Sequence, residues 1–314
     1  MNLLASMRYL AALHAHRHFG RAAQACHITQ PALSNALRAL EGEFGVVIVK
    51  RGRTYAGLTH EGEAVLAAAH RMLHEHEVLQ QLLQGDADHP CGNLRMAAVP
   101  TAMPLLARFA ARLQARHPGI VPTVLSMSSL ELEAGLESMS LDIALGYTER
   151  MHHRAVKLTA WPQSIEHYFL VRRCVGADAA ALRIGAPIGW ADAAALPLCL
   201  LTPEMHNRAI VDQAFRTAGA TVTPAIETNS VLALALAVAY GQVCAVLPGA
   251  MVDAIRTHGE LEALPLLGPE VRTPIGFMTQ TSVRPSRALD AALALLQGDD
   301  WQAEVAAHSG ALRA

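Results

Sequence analysis

The stretch from Phe19 to Gly45, FGRAAQACHITQPALSNALRALEGEFG, constrains this chain more than any other. It reads as two short helices and a tight turn. The first, over Gly20–His27, carries Ala22, Ala23 and Ala25, small residues that let another helix approach closely. A break follows at His27–Ile28–Thr29. The Thr29 hydroxyl is placed to accept an unpaired backbone N–H of the next first turn. Pro31 then falls where a missing N–H costs little. Ala32, Leu33, Ala36, Leu37 and Leu40 give the second helix an apolar face. Gln30, Ser34, Asn35 and Arg38 lie largely on its other faces, where short polar and basic groups meet base edges and phosphates. Two helices in this order make a helix-turn-helix, whose second helix enters the DNA major groove.

The charge distribution agrees. Residues 1–60 hold seven Lys and Arg against Glu41 and Glu43, so they carry +5 while the remainder carries −7 of the net −2. A basic head on an acidic body suits a tethered nucleic-acid-binding domain. A solvated surface or a membrane contact would also explain a basic head; the helix-turn-helix pattern favours DNA. With 52% hydrophobic and 17% charged residues over 314 positions, the chain has enough core for two or three folded domains. No apolar run approaches the roughly 18 residues that span a bilayer. The N-terminal stretch, interrupted by Arg8, His14 and His16, does not read as a signal peptide. Five cysteines, Cys26, Cys91, Cys174, Cys199 and Cys244, lack CxxC spacing, which fits a reduced cytoplasmic setting.

FGRAAQACHITQPALSNALRALEGEFGVVIVKR closely resembles the amino-terminal domain of LysR-type transcriptional regulators. The next residues, RGRTYAGLTHEGE, are similar to that family's wing and the entry to its linker helix. More weakly, the resemblance extends over the rest of the chain. Asn35 and Ala36 stand where a basic and a longer polar residue are common, and Val49 replaces a common wing aromatic, so base preference does not carry over. The implied fold is α/β with an all-α-rich winged helix-turn-helix N-terminal domain, a long linker helix and a two-lobed periplasmic-binding-protein-like effector domain. The implied function is transcription regulation by a homotetramer built as a dimer of dimers. It would act on promoter DNA often adjacent to its own gene, in response to a small-molecule co-inducer and with RNA polymerase as a further partner.

Taken in order, Leu3, Met7, Leu10, Ala11 and His14 recur at helical spacing and predict a first helix over Leu3–His18. His14 and His18 stand four apart but lack the further ligands of a metal site, so no metal is assigned. Ile48–Arg53 and Ala56–Thr59 read as two wing strands, with Arg51 and Arg53 on phosphates or in the minor groove. The domain therefore spans 1–59. A long helix, His60–Gln84, follows within a linker and hinge of 60–90. Val65, Met72 and Leu79, interleaved with Ala69, His76 and Leu83, form a heptad seam for a dimerising pair. Two identical heads would then read two half-sites of a near-palindromic operator.

From residue 91 onward strands and helices alternate, which implies a mostly parallel sheet in an effector-binding domain over 91–314. By resemblance, lobe I covers about 91–165 and 270–314, and lobe II about 166–269. Ligands of such sheets sit beyond the strands' carboxyl ends, beside helix N-termini. That rule selects Thr101, Ser126, Ser128, Thr202 and Asn229 as effector contacts; each is equally a residue type that caps helices. Some relatives place an Arg after the third strand, where this chain has Gly146–Tyr147. Arg150, Arg154, Arg208 or helix N-termini would have to hold an anion, and the sequence leaves a neutral and an anionic ligand both open. Another branch senses peroxide through a cysteine pair; Cys199, inside apolar LPLCLL, reads instead as a structural thiol. An enzyme or solute-binding module with a DNA-binding appendage is the competing class. GxSxG, GxGxxG, P-loop and HExxH motifs are all missing, and no catalytic residues are assigned.

Overall fold

The computed structural model describes residues 2–50, 52, 55–84, 89–153, 157–174, 180–281 and 284–308. They form an N-terminal helical unit and a larger α/β unit.

The helical unit contains α1 (Leu3–His16), α2 (Phe19–Ala25), α3 (Gln30–Phe44) and α4 (His60–Gln84). Side-chain caps set their starts. Asn2 Oδ1 accepts the Ala5 N–H at 3.1 Å, and Thr29 Oγ1 accepts the Ala32 N–H at 3.3 Å, with Pro31 in the first turn of α3. His27 adopts φ +55°, so α2 ends at Ala25 and the chain turns into α3. Leu10 and Leu13 of α1, Ala22 and Ala23 of α2, and Leu33, Leu37 and Leu40 of α3 make one buried core. The carboxylate of Glu41 accepts the backbone N–H groups of Ile48 and Val49, at 2.8 and 3.1 Å, and fastens the chain after α3.

Two features differ from the sequence reading. Instead of two full wing strands, the described residues carry a single antiparallel bridge between Val49 and Leu58. Gly57 at φ +99° interrupts the extended run on the return arm. Arg51 and Arg53 lie outside the described residues. The heptad seam of α4 also divides. Ala69, with Leu73, packs on Met7 of α1, and Val65 joins the core of the head, whereas Met72, Leu79 and Leu83 stay exposed.

The α/β unit opens with β1 (Gly92–Ala98), a short 3-10 turn, α5 (Met103–Arg116), β2 (Ile120–Ser126), α6 (Ser129–Ser138) and β3 (Ile143–Tyr147). Then comes β4 (Leu158–Glu166), which the sequence reading does not anticipate. A second series has β5 (Tyr168–Arg173), β6 (Arg183–Ile184), β7 (Ile188–Gly189), α7 (Trp190–Ala194), β8 (Leu198–Leu201) and α8 (His206–Thr217). It continues through β9 (Ile226–Thr228), α9 (Val231–Tyr240), β10 (Cys244–Pro248), α10 (Gly249–Ala254) and β11 (Leu261–Leu267). β12 (Thr273–Gln280), α11 (Arg287–Leu296) and α12 (Asp299–His308) complete it.

These strands make two sheets, one per lobe. Lobe I has the order β2-β1-β3-β12-β4, parallel through β2, β1 and β3 and antiparallel beyond. Lobe II has the order β6-β11-β5-β10-β8-β9, with β7 also on β11. Phe109, Phe277 and Trp301 anchor the first lobe's core, with ring centroids 4.7 and 5.0 Å from Phe109. Lobe II buries apolar residues on both sheet faces. The chain passes between lobes at Glu166–Tyr168 and again after β11. The two crossings meet, since Glu166 and Thr273 are paired across β4 and β12.

Candidate functional site

The head exposes one edge of α3. Burying Leu33, Leu37 and Leu40 turns Gln30, Pro31, Asn35 and Arg38 outward, with Ser34 half-buried beside them. Arg38 Nη1 donates to Asn35 Oδ1 at 3.2 Å, so an amide and a guanidinium lie side by side on the exposed edge. Those groups match adenine edges, guanine edges and phosphate oxygens.

The second candidate lies between the lobes. Val99, Pro100, Thr101, Ser128, Ser129 and Tyr147 line one wall, and Leu201, Met205, His206 and Asn207 the other. They surround about 210 Å³, including its open mouth. A chain of hydrogen bonds crosses its floor. Thr101 Oγ1 and the Tyr147 hydroxyl lie 3.0 Å apart, Asn207 Nδ2 donates to the hydroxyls of Tyr147 and Tyr168 at 3.3 Å each, and Tyr168 meets Thr273 Oγ1 at 3.3 Å. Burial, the largest cause, pushes both phenols above their ordinary range, so they remain protonated donors. Glu166, fully buried nearby, has its carboxyl lifted to about 8 by burial alone, and its Oε2 has no hydrogen-bond partner among the described residues.

Charge at the mouth is internally balanced. Arg150 Nε donates to Glu133 Oε1 at 2.8 Å, and its Nη1 lies 3.2 Å from His206 Nδ1. His206 Nε2 faces Glu149 Oε1 at 3.4 Å. Burial, above all else, lowers the His206 pKa, which fits a neutral ring accepting at Nδ1 and donating at Nε2.

Of the five effector contacts selected from the sequence, the structure brings Thr101 and Ser128 into this lining. Ser126 ends β2 on the exposed surface, Thr202 is bonded to Glu204 Oε1 at 2.7 Å, and Asn229 is exposed ahead of α9; none of these three is in the lining. Ser129, Tyr147, His206 and Asn207 are the polar residues that the sequence reading missed. Gly146–Tyr147 carried a usable signal, a polar aromatic closing an otherwise apolar strand at its carboxyl end. Arg208 turns into the protein, donating to the Leu201 carbonyl at 2.6 Å, Glu227 at 2.7 Å and Asp212 at 2.8 Å. Arg154 lies outside the described residues.

A family model of bacterial regulatory helix-turn-helix proteins of the lysR family matches residues 4–63, and one of the LysR substrate binding domain matches residues 87–300. The chain belongs to the LysR family. It is a transcriptional regulator with a helix-turn-helix DNA-binding head and an effector-binding domain. The DNA-binding transcriptional dual regulator OxyR of Escherichia coli K12 is 27% identical over 282 residues, 87% of each chain. A full-length OxyR variant of Pseudomonas aeruginosa has a similar fold, with a TM-score of 0.68 at 23% identity over 94% of this chain and 97% of that one. So does the LysR regulator CbnR, solved with its target DNA, with a TM-score of 0.62 at 21% identity over 93% and 97%. In this LysR regulator all five cysteines are free thiols. Cys244 pairs with Leu198 and Ala245 with Cys199, so the two buried thiols project from opposite faces of the lobe II sheet.

Proposed function

We propose that this regulator acts in the cytoplasm as a homotetramer on promoter DNA, without catalytic turnover, and that a small molecule in the interlobe cleft controls it. Gln30, Pro31, Ser34 and Asn35 read base edges in the major groove, while Arg38, Arg51 and Arg53 neutralise phosphates. The exposed edge of α3, held outward by its buried leucines, is the observation that carries this reading.

Association has surfaces to use. Met72, Leu79 and Leu83 leave an apolar stripe along α4 at the spacing of a paired helix. Leu232, Leu236 and Tyr240 form a second exposed row on α9, and Val121 and Leu125 a third on the edge strand β2. We assign the first to a homodimer and the others to further association.

The effector acts by its difference in affinity for two lobe arrangements, and it shifts the assembly only by that difference. The floor hydrogen bonds join residues of both lobes, so a ligand that rearranges Thr101, Tyr147 or Asn207 changes how the lobes meet. RNA polymerase at the same promoter then experiences the altered spacing and bend of the DNA.

Footprinting of the full-length protein on DNA upstream of its own gene tests the reading. A protected two-part site whose pattern changes with an added small molecule supports it. Turnover of that molecule by the purified protein contradicts it.

A further inference from the structure

The crossing between the lobes holds a buried acid that the cleft lining does not include. We propose that Glu166 makes this crossing proton-responsive: loss of its proton favours a second arrangement of the lobes, so that pH acts on the regulator alongside its small-molecule effector. Control of DNA by lobe arrangement rests on the proposed function; the proton-responsive crossing itself does not.

Glu166 ends β4, where the chain first passes from lobe I to lobe II, and it pairs with Thr273, the first residue of β12, at the return passage. Strand alternation leaves Ile165 50% exposed and turns Glu166 inward, to 1% exposure. Its Oε2 has no hydrogen-bond partner among the described residues. A carboxyl so placed is tolerable when neutral and costly when ionised.

The groups around it do not offset a charge. Tyr147 of β3 and Tyr168 of β5 both feel Glu166, and burial keeps both phenols protonated; Glu149, after β3, acts on the same two phenols with the same sign. On β12 the residue opposite is Thr273, and α8 brings Asn207 to both phenols; neither titrates. His206 of α8 lies edge-on to Tyr147, with ring centroids 4.9 Å apart, and burial lowers its pKa. Arg150 is bonded to Glu133, and His167, next along the chain, faces Glu270 at 4.0 Å. Burial alone therefore sets the Glu166 carboxyl, which it lifts to about 8.

An ionised Glu166 has two routes to relief. It can draw a phenol hydrogen from Tyr168 or Tyr147, which breaks the Tyr168–Thr273 or Tyr147–Thr101 link of the cleft floor. It can instead reach water, which parts the paired crossings at Glu166 and Thr273. Either route alters the hydrogen bonds by which Asn207 joins the lobes. The sign follows. With its carboxyl in water an ordinary glutamate titrates at about 4.3, so the observed arrangement holds the proton more tightly. Preference for that arrangement is complete below the ordinary value. It declines by up to about tenfold per pH unit as pH rises and levels off near 8.

The test uses full-length protein without DNA, titrated from about pH 5 to about pH 9. Infrared difference spectra follow the protonated carboxyl, assigned by its loss in Glu166→Gln. The labelled methyl of Met205, in the cleft wall and assigned by its loss in Met205→Leu, follows the lobes. In wild type the carboxyl band fades toward pH 8 and the Met205 resonance moves with it, the ratio of the two arrangements changing by up to about tenfold per unit. In Glu166→Gln that part of the Met205 shift is lost, while the contribution of neighbouring His206 on the acid side persists. Should Glu166→Gln not fold, the wild-type band and Met205 must still move together above about pH 7, beyond the range of His206. A carboxyl band already gone in the ordinary glutamate range, a band that fades while Met205 stays still, or an equal Met205 shift in Glu166→Gln overturns the inference. Footprints at the two ends of the titration add the consequence: protection that changes with pH in wild type and not in Glu166→Gln makes the proton an effector. A footprint that stays constant while Met205 moves overturns pH control of the regulator and, with it, the reading that lobe arrangement governs DNA, and leaves the responsive crossing in place.

Discussion

Asn207 and Tyr147 meet across the cleft: the Nδ2 amide on α8 donates to the phenol oxygen at the end of β3, 3.3 Å away. The same amide reaches Tyr168, at 3.3 Å. One side chain of lobe II therefore ties together the last residue of a lobe I strand and the first residue of the lobe II strand after the crossover. Each hydroxyl has a further partner, Thr101 or Thr273, so the bonds form a chain with few alternatives.

Asn207→Ala should destabilise the α/β unit by about 1–3 kcal/mol, the usual loss when a buried donor is deleted and its acceptors are left in place. Denaturant unfolding measures it. An unchanged midpoint would mean that the chain of hydroxyls does not hold the lobes together.

Glu166 gives stability a pH dependence of known sign. Its carboxyl titrates at about 8 in the folded protein, against roughly 4.3 for an unfolded glutamate. The folded state thus binds the extra proton between those values. Its contribution is complete below the unfolded pKa and is lost as pH rises through the folded one, with a slope approaching about 1.4 kcal/mol per pH unit. Glu166→Gln should flatten unfolding free energy between pH 5 and pH 8, a window inside the two values above. Identical pH profiles for both proteins would remove Glu166 from the account.

Gly62 has no room for a side chain. A Cβ built there would stand 2.2 Å from the Ile48 carbonyl oxygen, a backbone atom that cannot swing aside. Gly62→Ala should therefore lower the thermal midpoint of the head and weaken DNA binding, although alanine favours helix elsewhere. A midpoint equal to or above wild type would contradict this packing.

Glu41 fixes the chain leaving α3 through two backbone bonds, to Ile48 and Val49. Glu41→Ala leaves both N–H groups without their carboxylate acceptor and should cost about 1.5–3 kcal/mol, the range for hydrogen bonds to a charged group. Hydrogen exchange at Ile48 and Val49 reads it directly. Unchanged protection at both amides would rule out the clamp.

How far these features could be read in advance depends on whether their cause is local. The head was legible because its signals lie within a few residues of one another: Thr29 and Pro31 start α3, and Leu33, Leu37 and Leu40 repeat at helical spacing. The first strands of lobe I were legible for the same reason. β4 was not, because Pro162 inside LTAWPQSIE argues against a strand; the structure tolerates it at the sheet edge, where the register shifts opposite Gly276. The cleft was only half legible. Rules for strand ends found Thr101 and Ser128, whereas Asn207 sits inside the first turn of α8 and joins Tyr147 only after both lobes have folded. Asn229 and Ser126 satisfy the same local rule, yet their strands end on exposed surface.

The central claim is that the exposed edge of α3 reads a specific promoter site. Binding of full-length protein to the footprinted sequence and to a scrambled one, across a salt series, tests it most directly. Affinity for the true site should fall steeply with salt, and Arg38→Ala should reduce the slope by about one in each subunit that contacts phosphate. Asn35→Ala should instead cost about 1–3 kcal/mol on the true site and little on the scrambled one. Equal affinity of wild type for both sequences, or an Asn35→Ala protein that still discriminates fully, would contradict the claim.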